Sequence, residues 1–176
     1  MSLLSLRGEF TMVDNALAVD QQIFQYEAND LTRGWEIESC YVWPKDVRAN
    51  IGTADSQIMC CFSIATDTID RAGLTFNDVS NAADNRQCGW LEIPYQLRAS
   101  AVADYMQART WGPIPFVLDP QTIVVSALYL NCYSTSDDTV SPSRLWNYMV
   151  VLRPKKMKPM ATILHIIKGK GQDVSS

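Results

Sequence analysis

Residues 123–133 read IVVSALYLNCY, and residues 145–153 read LWNYMVVLR. Neither run contains Gly or Pro. Both are rich in β-branched and aromatic side chains, the composition of strands on a pleated, mostly buried surface. With a period of two, Ile123, Val125, Ala127, Tyr129 and Tyr133 share one face of the first run, and Val124, Leu128, Leu130 and Cys132 share the other. The second run places Trp146, Tyr148, Val150 and Leu152 on one face and Leu145, Met149 and Val151 on the other. Both faces of both runs are largely apolar, so the pattern predicts two central strands covered on both sides. At about 3.3 Å per residue the first would be roughly 36 Å long, twice an average strand. The intervening residues 134–144 are too many for a tight hairpin, so the two strands either pair through a long loop or cross between two sheets.

Upstream, residues 35–43 (WEIESCYVW) alternate. Trp35, Ile37, Tyr41 and Trp43 fall on one face, Glu36 and Glu38 begin the other, and Pro44 stops the strand. Residues 57–65 (QIMCCFSIA) and 88–97 (CGWLEIPYQL) read as further strands, with a short one at 74–76. Pro94 lacks a backbone donor, so its strand belongs at an edge or carries a bulge there. Ser100 caps a helix over 100–110, with Val102, Tyr105 and Met106 at i, i+3 and i+4. WGPIP (111–115) ends it, and 116–118 is a short strand. Downstream, PKKMKP is a solvated basic turn, TILHII (162–167) is a last strand or a short helix, and GKGQDVSS is a flexible tail. Residues 1–30 break into LLSL, FTMV, ALAV and IFQY, suited to edge strands or an extended arm, before the turn NDLTRG. Many short strands between Pro, Gly, Asn and Asp turns indicate an all-β sandwich or barrel.

A chain of 176 residues, 47% apolar and 19% charged, fits one globular domain able to bury a core without metals or disulfides. No run approaches the length of a membrane helix, and MSLLSLRGEF is too short and too soon charged for a signal peptide. Cys40, Cys60, Cys61, Cys88 and Cys132 are odd in number, lie in apolar runs and lack C-x-x-C spacing. They read as buried thiols of a reducing compartment, with no cofactor or metal site implied.

No catalytic motif emerges. One histidine, His165, sits within TILHII and is better read as a packed residue than as a general base. Glu36 and Glu38 are spaced about 7 Å apart on one strand, which a glycosidase pair would tolerate, but two solvated acids are the simpler reading. GKGQ lacks the spacing and context of a phosphate-binding loop. Trp35, Trp43 and Trp146 read as core; Trp90 and Trp111 could line a surface and stack on bases or sugars. The feature that looks functional is charge. Six bases and one acid lie from Arg153 onward, a balance of +5 that leaves −9 on the first 152 residues. Lys155, Lys156, Lys158, Lys168 and Lys170 are therefore candidate interaction residues, against the plainer reading of a solvated turn and a loose tail.

The pattern resembles a viral capsid protein built on a single jelly roll. Eight strand candidates carry the resemblance, at 35–43, 57–65, 74–76, 88–97, 116–118, 123–133, 145–153 and 162–167, joined by loops of unequal length and preceded by an arm-like segment. In size the chain is similar to the small major capsid proteins of icosahedral bacterial and archaeal viruses with internal membranes. One departure is that residues 1–30 hold only Arg7 as a base, so the basic material is C-terminal. The resemblance implies an antiparallel β-sandwich of about eight strands with at most one or two short helices. It divides the chain into an arm or edge strands (1–34), a jelly-roll domain (35–168) and a tail (169–176). It further implies a non-enzymatic coat protein, made in the host cytoplasm and carried in the virion, which self-assembles as a homo-oligomer, with other capsid proteins as further partners. The basic segment would then face a neighbouring subunit, an anionic membrane or nucleic acid. A carbohydrate-binding β-sandwich and a β-sandwich enzyme are the rival classes.

Overall fold

The computed structural model describes residues 2–26, 32–45, 56–97, 113–136 and 143–170. Its strands are β1 (Leu4–Val13), β2 (Leu17–Gln25), β3 (Arg33–Pro44), β4 (Ser56–Ala65), β5 (Gln87–Leu97), β6 (Ile114–Pro115), β7 (Val117–Leu118), β8 (Ile123–Val124), β9 (Ala127–Ser136) and β10 (Ser143–Lys156). A helix, α1 (Pro159–Lys170), follows. Pairing runs from the outside of the sequence inward. β1 pairs with β10, β2 with β9, β3 with the fragments β6 and β8, and β4 with β5, all antiparallel. That is one long antiparallel ribbon. It is wound on itself because β10 also pairs with β3, and β9 with β4. The result is two sheets, β1-β10-β3-β6 with β8 also on β3, and β2-β9-β4-β5-β7. We call them sheet A and sheet B. The fold is an all-β antiparallel sandwich with the winding of a jelly roll.

The two decisive runs are central strands, but of different sheets: β9 lies between β2 and β4, and β10 between β1 and β3. The core forms where their inner faces meet. Trp146 of β10 packs edge-on against Phe62 of β4, with centroids 4.9 Å apart, and Phe10 of β1 lies 6.0 Å from Phe62. Leu128, Leu130, Cys132, Val150 and Leu152 complete it, all buried. Burial on both faces holds better for β9 than for β10. Ala127 and Asn131 on the outer side of β9 are buried, whereas Leu145 on the outer side of β10 is exposed and Met149 and Val151 are only half-buried.

Several expectations are corrected. The run 123–133 is not one strand. It breaks at Val125–Ser126, where the chain leaves sheet A as β8 and enters sheet B as β9, with the Ser126 carbonyl accepting from the Tyr26 amide. The strand expected over 116–118 is a second crossing. β6 pairs with β3 and β7 with β5, and Phe116 between them is buried beside Phe62. In β3 a bulge leaves Glu38 without a partner, since Val151 faces Ser39 and Leu152 faces Ile37. The extra residue inverts the alternation. Trp35 and Ile37 pack on the core, but Cys40 and Val42 replace Tyr41 and Trp43 on that side. Trp43 is therefore a half-buried residue outside the main core. The short strand expected at 74–76 is absent; Phe76 instead opens a 3-10 turn, Phe76–Asp78, held by a capping box between Thr75 and Asp78. Residues 162–167 belong to α1, not to a strand. The helix expected over 100–110, and Trp111, lie outside the described residues.

Pro94 sits where its strand has only one neighbour, because β7 covers β5 only at Gly89 and Trp90. None of the five cysteines is in a disulfide, and four are buried. Burial, followed by the nearby Cys88, pushes the Cys40 thiol up; burial pushes Cys132 up to about 12, and burial followed by Glu92 pushes Cys61 up to about 11. Such thiols are poor nucleophiles at neutral pH.

Candidate functional site

The basic residues gather where β10 runs off sheet A. Its last residues still pair with the start of β3, Lys155 opposite Gly34 and Lys156 opposite Arg33, and the Met157 amide donates to the Thr32 carbonyl at 2.7 Å. Gly34 is buried, and a Cβ there would lie 2.6 Å from Ile123 Cγ2 and 2.8 Å from Met157 Sδ. The absent side chain lets β8, β3 and the segment leading to the helix meet.

Two bases are tied within the molecule. The Arg153 guanidinium grips Glu38, with Nη2 at 2.8 Å from Oε1 and Nε donating to Oε2 at 3.2 Å. Lys155 Nζ lies 3.6 Å from Glu36. Glu36 and Glu38, the carboxylates that spacing alone could have made a catalytic pair, thus each take a cross-strand base. Lys156 and Lys158 are exposed. The Lys158 carbonyl accepts from the Ala161 and Thr162 amides, so it opens α1, and Pro159 follows at the first helical position, where its missing donor costs nothing. Lys168 and Lys170 occupy the last turn, roughly 15 Å along the helix axis from Lys158.

α1 also carries what the sequence reading missed. Thr162 is buried with its hydroxyl 3.8 Å from Met157 Sδ, and Ala161, His165 and Ile166 are half-buried, so this side faces the body. Met160, Ile163, Leu164 and Ile167 are exposed. Their spacing of i, i+3, i+4 and i+7 makes one continuous apolar stripe. The periodicity was available in PMATILHIIK, but an apolar stripe is ordinarily the buried side of a helix, and here it is the outer one.

Trp90, a candidate for stacking, is half-buried and donates from Nε1 to Gln87 Oε1 at 3.1 Å. Among the described residues no group of His, Cys, Asp and Glu could hold a metal ion, and no helix is long and apolar enough to cross a membrane.

No protein-family model matches the chain, and no curated protein does. Among solved structures it is similar to that of turnip yellow mosaic virus, with 11% identity over 90% of this chain and 97% of that one, and a TM-score of 0.35. It is likewise similar to that of Desmodium yellow mottle tymovirus, with 11% identity over 89% of this chain and 83% of that one, and a TM-score of 0.37. At these values the jelly-roll assignment rests on the strand order itself.

Proposed function

We propose that this chain is a structural coat subunit that assembles with copies of itself into a viral shell and resides in the virion. Jelly rolls serve in viral capsids, in lectin domains and in cupins, so the winding alone does not choose among them. The observation that carries the reading is outward-facing apolar surface at the end of the sandwich, where α1 turns Met160, Ile163, Leu164 and Ile167 to solvent beside exposed lysines. Contiguous apolar surface of this kind is buried against a partner in working proteins. In this reading Lys155, Lys156, Lys158, Lys168 and Lys170 face the acidic remainder of a neighbouring subunit, and segment 1–30 contributes edge contacts.

Electron microscopy of the purified protein tests it, together with sedimentation over a range of concentration. Regular particles or rings support the reading, and a clean monomer at high concentration overturns it. A sugar-binding module is a second reading, favoured by Phe76, half-exposed and stacked on Tyr133 with centroids 5.1 Å apart. Selective glycan binding lost in Phe76→Ala, without particles, would establish that role instead.

A further inference from the structure

We infer that α1 is a docking element whose apolar stripe and flanking lysines seat on the acidic outer loop of a second copy of this chain. The inference rests on the coat reading and gives it a specific contact. Met160, Ile163, Leu164 and Ile167 are 68%, 40%, 60% and 57% exposed. A stripe in which four large side chains keep that much solvent contact is finished by something outside the subunit.

Charge selects the occupant. From Arg153 to Lys170 the chain holds no acid, and the first turn of α1 has none. Arg153 and Lys155 are matched by Glu38 and Glu36, which leaves Lys156 and Lys158 beside the stripe to meet negative charge from elsewhere. The first 152 residues carry −9, so another copy supplies that charge, whereas an anionic membrane would repel the bulk of the subunit. The loop between β4 and β5 offers both chemistries at once. It presents exposed Asp70 and half-exposed Asp67, and Phe76 turns apolar ring surface outward on the same loop. Since helix and loop are different surfaces of one molecule, the contact is head-to-tail and propagates into rings or shells. A stable two-body interface buries about 800 Å² per partner, more than one helix face offers, so the contact is weak singly and holds through repetition.

The test uses the full chain with Leu164→Asp, judged by the concentration at which particles form and by the melting temperature of the dispersed subunit. The expected result is a threshold raised by roughly tenfold or more with an unchanged melting temperature, as for loss of an interface anchor. Lys158→Asp should likewise impair assembly, and adding Asp70→Lys in the same chain should restore it. Normal assembly of Leu164→Asp, with wild-type particles forming, overturns the inference and leaves the coat reading standing. Wild type that never assembles overturns both. Assembly unaffected by Leu164→Asp while binding to phosphatidylglycerol vesicles is lost also overturns it, in favour of a lipid surface.

Discussion

The outer faces of the two sheets are finished differently. Sheet B is roofed by its own chain. The loop from Thr66 to Arg86 lies over it, burying Ile69 and Val79 and, beneath them, Ser63 and Asn131. The roof is pinned by Asp20, whose carboxylate accepts from the Ile69 amide at 2.7 Å and the Asp70 amide at 2.9 Å, while its own amide donates to Asn131 Oδ1. At the far end Arg86, itself buried, grips Asp84 at 2.7 Å and donates to the Thr68 carbonyl. Sheet A has no comparable roof among the described residues. Its outer rows are mixed and partly wet, with Glu9, Asn147 and Trp43 in one register row and Arg7, Met149 and Tyr41 in the next. The difference separates two jobs. Sheet B completes its second layer internally, through hydrogen bonds that fix one loop geometry. Sheet A and the helix that continues its central strand leave apolar side chains such as Leu145 and Leu164 exposed, the surface that the proposed assembly would bury.

The largest effect should come from the layer both sheets share. Trp146 is fully buried in sheet A and touches Phe62 of sheet B and Phe10 of β1. Trp146→Ala should cost about 3–5 kcal/mol, since it removes a large side chain from a site too rigid to collapse. Urea unfolding followed by fluorescence and by circular dichroism should shift together. If sheet B stayed folded while sheet A melted, the two sheets would be separable units rather than the two faces of one core.

Next in size is the roof. Asp20 holds a left-handed backbone, with φ of 57°, and accepts two amides. Asp20→Ala keeps the unfavourable backbone and leaves both donors of the loop without their carboxylate, a loss of about 2 kcal/mol. Hydrogen exchange should rise across 66–80 and stay unchanged in β10. Equal protection loss in both sheets would show that the roof is part of the global core rather than a separate layer.

How far this division could be read from sequence depends on the kind of signal. β4, β5, β9 and β10 were legible because unbroken alternation or apolar runs report burial directly. The break at Val125–Ser126 was not, since the residues on either side are equally apolar and only the change of hydrogen-bonded partner marks it. Nor was the bulge at Glu38, where one extra residue turns Tyr41 and Trp43 away from the core without altering the pattern along the chain. The polar residues on either side of 74–76 looked like loop, and the short strand expected at 74–76 does not form, so 66–86 is loop with one 3-10 turn. Its role as a roof depends on Asp20, some fifty residues earlier, meeting the amides of Ile69 and Asp70. In the candidate site, the lysines were visible as charge. The outward stripe of α1 was not, because periodicity gives a face and not the direction it points.

Acid should act on the roof before the sandwich. The Thr75 amide, with help from the Thr75 hydroxyl and Arg71, holds the Asp78 carboxyl below its ordinary value of 3.8. A carboxylate depressed in the folded state contributes stability that is fully present above the unfolded value and is lost as pH falls through the folded one. Protection of the 75–79 amides, measured against their intrinsic exchange, should therefore fall as pH drops below about 4, and Asp78→Asn should remove most of that dependence. A parallel loss of protection in β9 would mean that the 3-10 turn is not the acid-sensitive element.

The smallest effect belongs to the ion pairs of sheet A, and it bears on what that sheet is for. Arg153 and Glu38 are about half and one-third exposed, so water screens them and each long side chain loses rotamer freedom on pairing. A double-mutant cycle with Arg153→Ala and Glu38→Ala should give a coupling of about 0.2–1 kcal/mol to subunit stability, falling further in salt. The same pair should matter more to association. Glu38→Gln frees the Arg153 charge without removing bulk, and if an acidic neighbour sits beside α1, the concentration needed for assembly should fall at low salt. A coupling above about 2 kcal/mol with no change in assembly would place these charges in the internal architecture, as on sheet B, and would erase the contrast between the two outer faces.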